Sequence, residues 1–183
     1  MGFTLSEVYV CEPDGEALKI IEEFAAMVKW WAEKAKGFPG RDYICLRRAF
    51  YSEWVQRWPT LSRQLIHTSA SVAASKLKLQ RSVEQRPKRP DVEVSYAVLH
   101  PKMLKVTRGM LRVSMARGEY CYVQLKPKNS YQERLLEQAE EGLWRIGQAV
   151  LAKSWAAIPF TCEELDETAF RAIKELLAEP TAP

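Results

Sequence analysis

The chain has 183 residues, 47% of them apolar and 27% charged, which is enough for one real core and ordinary for a globular protein. No stretch approaches the roughly 18 uninterrupted apolar residues that a membrane span needs, so no membrane partner is expected. The net charge of +4 is unevenly spread: residues 37–132 hold 18 Lys and Arg against 6 Asp and Glu, while the remainder holds 9 against 17.

Thr4–Val10 alternates and is rich in β-formers, and Pro13–Asp14–Gly15 breaks it, with Asp14 placed to cap a helix. The spacing of Leu18, Ile21, Ala25, Val28 and Ala32 predicts a helix over 16–36, widened by Ile20, Phe24, Met27 and Trp31. Gly37–Phe38–Pro39–Gly40 stops it. A second helix is predicted over 42–58, with Tyr43, Leu46, Phe50 and Trp54 on one face and Arg47 and Arg48 off it. Pro59 ends it, and Thr60 is placed to cap a third helix over 61–81. The centre of that helix, from Thr68 to Ser75, is mostly Ser, Thr and Ala. Such small side chains admit a close backbone, either of another helix or of a nucleic acid.

After Pro90 the period changes to two. Val92, Val94, Tyr96 and Val98 alternate with Glu93, Ser95, Ala97 and Leu99. Arg108–Gly109 joins strands 103–107 and 110–115 as a two-residue hairpin, and a turn with Arg117–Gly118 leads to 120–126. A short helix is predicted over 130–141, with Ser130 as cap and Gly142 as stop. Two strands are expected over 144–162, broken at Ser154, with Pro159 on an edge. An acidic amphipathic helix follows over 164–178.

One strand, three helices and then a run of strands imply an α+β fold. The first strand must rejoin the others to satisfy its backbone. The expectation is an antiparallel β-barrel-like, oligonucleotide-binding-like domain from residues 1–12 and 90–163. A three-helix insertion would occupy 13–89, and an acidic helix and tail 164–183. The first ten residues carry Glu7 and no basic leader, so a cytoplasmic protein is expected.

Cys11, Cys45, Cys121 and Cys162 show no CxxC spacing, and His67 and His100 lie far from them in sequence. Neither a metal site nor a disulfide framework is expected, and the thiols read as small buried apolar groups. There is no Gly-rich phosphate loop and no carboxylate cluster with a base. The chain therefore reads as a non-enzyme that needs no cofactor.

The basic residues are the stronger signal. Lys76, Lys78 and Arg81 run into Arg86, Lys88 and Arg89, a density that suits phosphate neutralisation but also fits a solvated helix end. Lys102, Lys105, Arg108 and Arg112 sit in alternating strands and could line one face. Of six tryptophans, Trp58, beside Arg57 and Pro59, is the one placed to stack a base; the others read as core.

The layout resembles the N-terminal half of the transposon-encoded TnpB proteins, RNA-guided nucleases related to type V CRISPR effectors. Ser6–Cys11 followed by a helix is similar to their first wedge strand and the start of the recognition lobe. Residues 61–76 are similar to their third recognition helix. Residues 86–91 match their basic, proline-containing return to the barrel. Residues 110–133 and 144–151 are similar to the second half of their wedge domain. The resemblance covers roughly residues 4–163. It implies binding of guide-type RNA and of a short DNA motif beside the target, with Arg63, Gln64, His67 and Thr68 facing that motif. Gln64 suits adenine and Arg63 guanine, while His67 also reads as a packing histidine. The resemblance stops where TnpB proteins begin their RuvC-like nuclease. Glu163, Glu164 and Asp166 are no substitute for its carboxylates, since acids in a helix's first turn are favourable dipole partners. A second reading is a protein-interaction module that docks a partner, such as a separate nuclease subunit, through the acidic helix.

Overall fold

The first strand, β1 (Phe3–Pro13), gives way to α1 (Gly15–Lys36) at Asp14. One Asp14 carboxylate oxygen accepts the N–H of Ala17 at 2.7 Å, capping the helix; the other accepts the N–H of Tyr122 at 2.8 Å. The Asp14 N–H in turn donates to the Tyr122 carbonyl at 3.0 Å. A single residue thus fixes where the strand stops, where the helix starts and which strand the junction lies against. The computed structural model describes residues 3–38, 42–83, 92–162 and 167–178.

The apolar stripe of α1 buries Ile20, Ile21, Phe24, Met27, Val28 and Trp31. Helix α2 (Tyr43–Arg57) is capped by Asp42, and it kinks at Phe50, where φ is −114° and ψ is 15°. The Phe50 ring meets Trp30 and Phe38 edge-on. Helix α3 (Gln64–Val83) starts three residues after the expected Leu61, and Thr60 does not cap it. The Ser62 N–H is committed to the Met115 carbonyl at 2.7 Å, while its hydroxyl accepts the Gln64 N–H at 3.4 Å. The chain is tied to the sheet before the helix can begin. The small-residue run in α3 packs on α1: Ser69, Ala70 and Ala73 are buried, and the Trp31 indole N–H donates to the Ser69 hydroxyl at 3.0 Å.

The remaining elements are β2 (Tyr96–Leu99), a 3-10 turn (Pro101–Met103), β3 (Leu104–Thr107), β4 (Met110–Ala116), β5 (Glu119–Lys126), α4 (Ser130–Glu140), β6 (Arg145–Ile146), β7 (Ala149–Ala152), β8 (Trp155–Cys162) and α5 (Glu167–Leu177). Every pairing is antiparallel, in the order β2-β7-β8-β1-β5-β4-β3, with β6 added to β8. The fold is α+β, a curled antiparallel half-barrel with helices packed against it. As expected, β1 rejoins the later strands, lying between β5 and β8.

Several local expectations are corrected. The strand predicted from Val92 shortens to β2, whose Ala97, Val98 and Leu99 are all buried because α1 and α3 cover it. Asn129, not Ser130, caps α4, accepting the Gln132 N–H at 2.9 Å. The segment 144–162 holds three strands, not two. Pro159 is not on an edge, since it pairs with Ser6 while β8 lies inside the sheet. Its carbonyl accepts the Gly147 N–H at 2.7 Å, so its missing N–H faces the gap between β6 and β7, where the ladder is already interrupted. The Arg108–Gly109 hairpin forms as predicted, with both residues at positive φ (50° and 70°), the twist that matches the flanking strands.

Helix α4 is held by two buried glutamines. Gln132 donates to Glu7 (3.0 Å) and to the Val8 carbonyl (3.2 Å) on β1. Gln138 accepts the Trp144 indole N–H at 2.9 Å and donates to the Ala172 carbonyl at 3.1 Å, seating α5.

Candidate nucleic-acid interface

On β3, β4 and β5 the pleat sends Val106, Leu111, Val113, Cys121, Val123 and Leu125 into the core. The opposite face carries Lys105, Arg112, Tyr120 and Tyr122. Register places Lys105 directly across from Arg112, and Arg112 directly across from Tyr122. The Arg112 guanidinium lies 4.4 Å from the Tyr120 ring centroid, and Tyr120 and Tyr122 are 44% and 39% exposed. Two like charges opposed on a ladder cost roughly 0.2–1 kcal/mol. A phosphate seated between Lys105 and Arg112 would turn that repulsion into two charge-assisted contacts, with two tyrosine faces beside it for stacking.

A second basic cluster forms between elements far apart in sequence. One Arg47 guanidinium nitrogen on α2 contacts Nδ1 of His67 on α3 and lies 3.4 Å from its Nε2. The His67 ring lies 6.4 Å, centroid to centroid, from that of His100. His100 precedes the 3-10 turn, where its Nδ1 accepts the backbone N–H of Lys102 at 3.2 Å. Burial, then the charges of Arg47, His100 and Lys102, holds the His67 imidazole below its ordinary value of 6.5. Burial and Lys102 do the same to His100. Both imidazoles are therefore predominantly neutral at pH 7.

Other predicted residues are dispersed. Trp58 is only 7% exposed; its ring packs on Trp30 and Trp54 and its N–H donates to Glu23 at 2.7 Å. Arg57 covers another part of it. This corrects the expectation of a Trp58 free to stack a base. Thr68 is buried, with its hydroxyl donating to the Leu65 carbonyl at 3.5 Å, so it presents no edge to a base. Arg63 is exposed but leans over the Trp54 ring and donates to the Trp58 carbonyl at 3.4 Å. Gln64 is half-buried, and Arg48 and Lys78 are exposed. Lys76 lies 6.0 Å from the Tyr96 ring centroid. Arg108 is exposed at its hairpin, with its backbone N–H bonded to Glu140. Arg86, Lys88 and Arg89 lie outside the described residues, as do Glu163, Glu164, Asp166 and the side chain of Arg81.

Cys11, Cys121 and Cys162 are buried as read, but Cys45 is exposed, because it falls on the solvent side of α2. Burial pushes the Cys11 thiol up to about 11 and that of Cys121 up to about 12, far from thiolate chemistry at neutral pH. Among the described residues no three His, Cys, Asp or Glu side chains gather as a metal site would need, and no helix is long and apolar enough to cross a membrane.

No protein-family model matches the chain, and no curated protein matches it. Sequence reading missed Tyr120, Tyr122 and His100 as candidates. The tyrosines did carry a signal: they occupy the solvent-facing parity of a strand whose other parity is Cys121, Val123 and Leu125.

Proposed function

We propose that the chain is a non-catalytic, cytoplasmic nucleic-acid-binding protein of TnpB-like descent. It would use wedge-like and recognition-lobe-like parts to hold structured, guide-type RNA and an adjacent DNA motif. The observation that carries the reading is the outer face of β3–β5, where Lys105, Arg112, Tyr120 and Tyr122 combine phosphate-binding charge with exposed rings. The strongly basic middle of the sequence supports it, as does the order of a strand, three helices and a strand run that prompted the TnpB resemblance. The second reading, partner docking through the acidic helix, must rely on the outer side of α5. Its inner residues Ala172 and Leu176 are buried, and Arg134 of α4 donates to the carbonyls of Leu176 and Ala178.

Titration with structured RNA at several salt concentrations tests the proposal. Log affinity should fall with log salt by about 0.7–0.9 per phosphate neutralised. Reversing Arg86, Lys88 and Arg89 to Glu should flatten that slope by roughly two to three units. Changing Glu163, Glu164 and Glu167 to Lys should leave binding intact or slightly tighter. The opposite ranking would favour the docking reading, and a salt-independent affinity would sink the polyanion reading.

A further inference from the structure

Arg47, His67, His100 and Lys102 come from α2, α3 and the connection between β2 and β3, and what they share is donors. Arg47 is always charged and can only donate, so one nitrogen of the neutral His67 ring accepts from it and the other carries the ring proton. The backbone N–H of Lys102 occupies Nδ1 of His100, so that ring carries its proton on Nε2. The cluster therefore offers two imidazole N–H groups, an ammonium and the remaining guanidinium N–H groups. Among the described residues none of the four has a carboxylate partner, and the cations Arg47 and Lys102 both act on His67. Two cations beside neutral N–H donors, with no counter-charge, leave a positive local potential that an anion relieves.

We propose that Arg47, His67, His100 and Lys102 form an oxyanion site for one phosphate group. The tetrahedral oxygens of a phosphate accept from several directions, which suits donors drawn from three elements. The phosphate is either free or part of a nucleic-acid backbone. The assignment rests on the nucleic-acid reading only for that second source.

The chain has two histidines, so the imidazole Hε1 region of a proton spectrum contains two resonances, assigned by His67→Asn and His100→Asn. Inorganic phosphate at pH 7 should shift both saturably, and chloride at matched ionic strength should not. Arg47→Gln keeps a donor to the His67 ring while removing the charge, and Lys102→Gln removes the ammonium. Each should weaken phosphate binding about tenfold. A short RNA hairpin added instead identifies the source. If it shifts both resonances, with or without a response to free phosphate, the ligand is a backbone phosphate; if phosphate alone does so, the ligand is the free anion. If neither reagent moves either resonance, the site is overturned, and hairpin binding followed separately by fluorescence anisotropy still reports whether the nucleic-acid reading stands. Equal shifts with chloride would also overturn it.

Discussion

Lys105→Glu is expected to raise the thermal stability of the fold and to weaken RNA binding at the same time. In the native sheet Lys105 faces Arg112 across the ladder, a like-charge pair that costs roughly 0.2–1 kcal/mol. Glutamate at 105 converts it into an attractive pair, so the melting temperature should rise by a few degrees. The same change removes one phosphate contact and neutralises Arg112, so the salt slope should fall by about 0.7–0.9 or more. Adding Tyr122→Ala removes an exposed ring, and stacking is worth about 1–3 kcal/mol per base. The double variant should bind structured RNA roughly a hundredfold more weakly while remaining folded by circular dichroism. A surface built only for solubility would gain the stability and show no loss of binding.

Trp31→Ala is expected to produce the largest loss of stability. The ring is fully buried, lies 4.8 Å from Trp30 by centroid and donates to Ser69 on α3. Truncation leaves a cavity where α1 meets α3 and should cost about 3–5 kcal/mol, a large share of the stability of a domain this size. Trp31→Phe keeps most of the volume, loses the indole donor and should cost clearly less. Urea unfolding followed by far-ultraviolet circular dichroism checks both. A loss under about 1 kcal/mol for Trp31→Ala would show that the interface between α1 and α3 does not depend on this side chain.

The parts of the fold set by local chemistry were legible in the sequence. Asp14 caps α1 where its position before a helical stripe suggested, and Arg108–Gly109 turns the hairpin it was expected to turn. The errors arose where tertiary contacts decide. Thr60 has cap chemistry, but Ser62 is bonded to Met115 first. Pro159 carries an edge signal, yet the sheet accommodates it inside because its neighbour is broken at Gly147. Trp58 stands between Arg57 and Pro59 in sequence but against other tryptophan rings in space. The candidate site divides in the same way. Lys105 and Arg112 were readable from alternation, as Tyr120 and Tyr122 could have been. The approach of His100 to His67 joins residues 33 apart across two elements, and no local pattern encodes it.

Ultraviolet crosslinking of the intact protein to structured RNA, with mass spectrometry of the adducts, tests the outer sheet face most directly, because aromatic side chains stacked on bases lie where adducts form. The expected result is adducts on Tyr120 or Tyr122, lost on raising the salt and lost in the Lys105→Glu/Tyr122→Ala variant. RNA that stays bound and crosslinks efficiently elsewhere, with no adduct within residues 119–126 and no change in that variant, would contradict the assignment of this face.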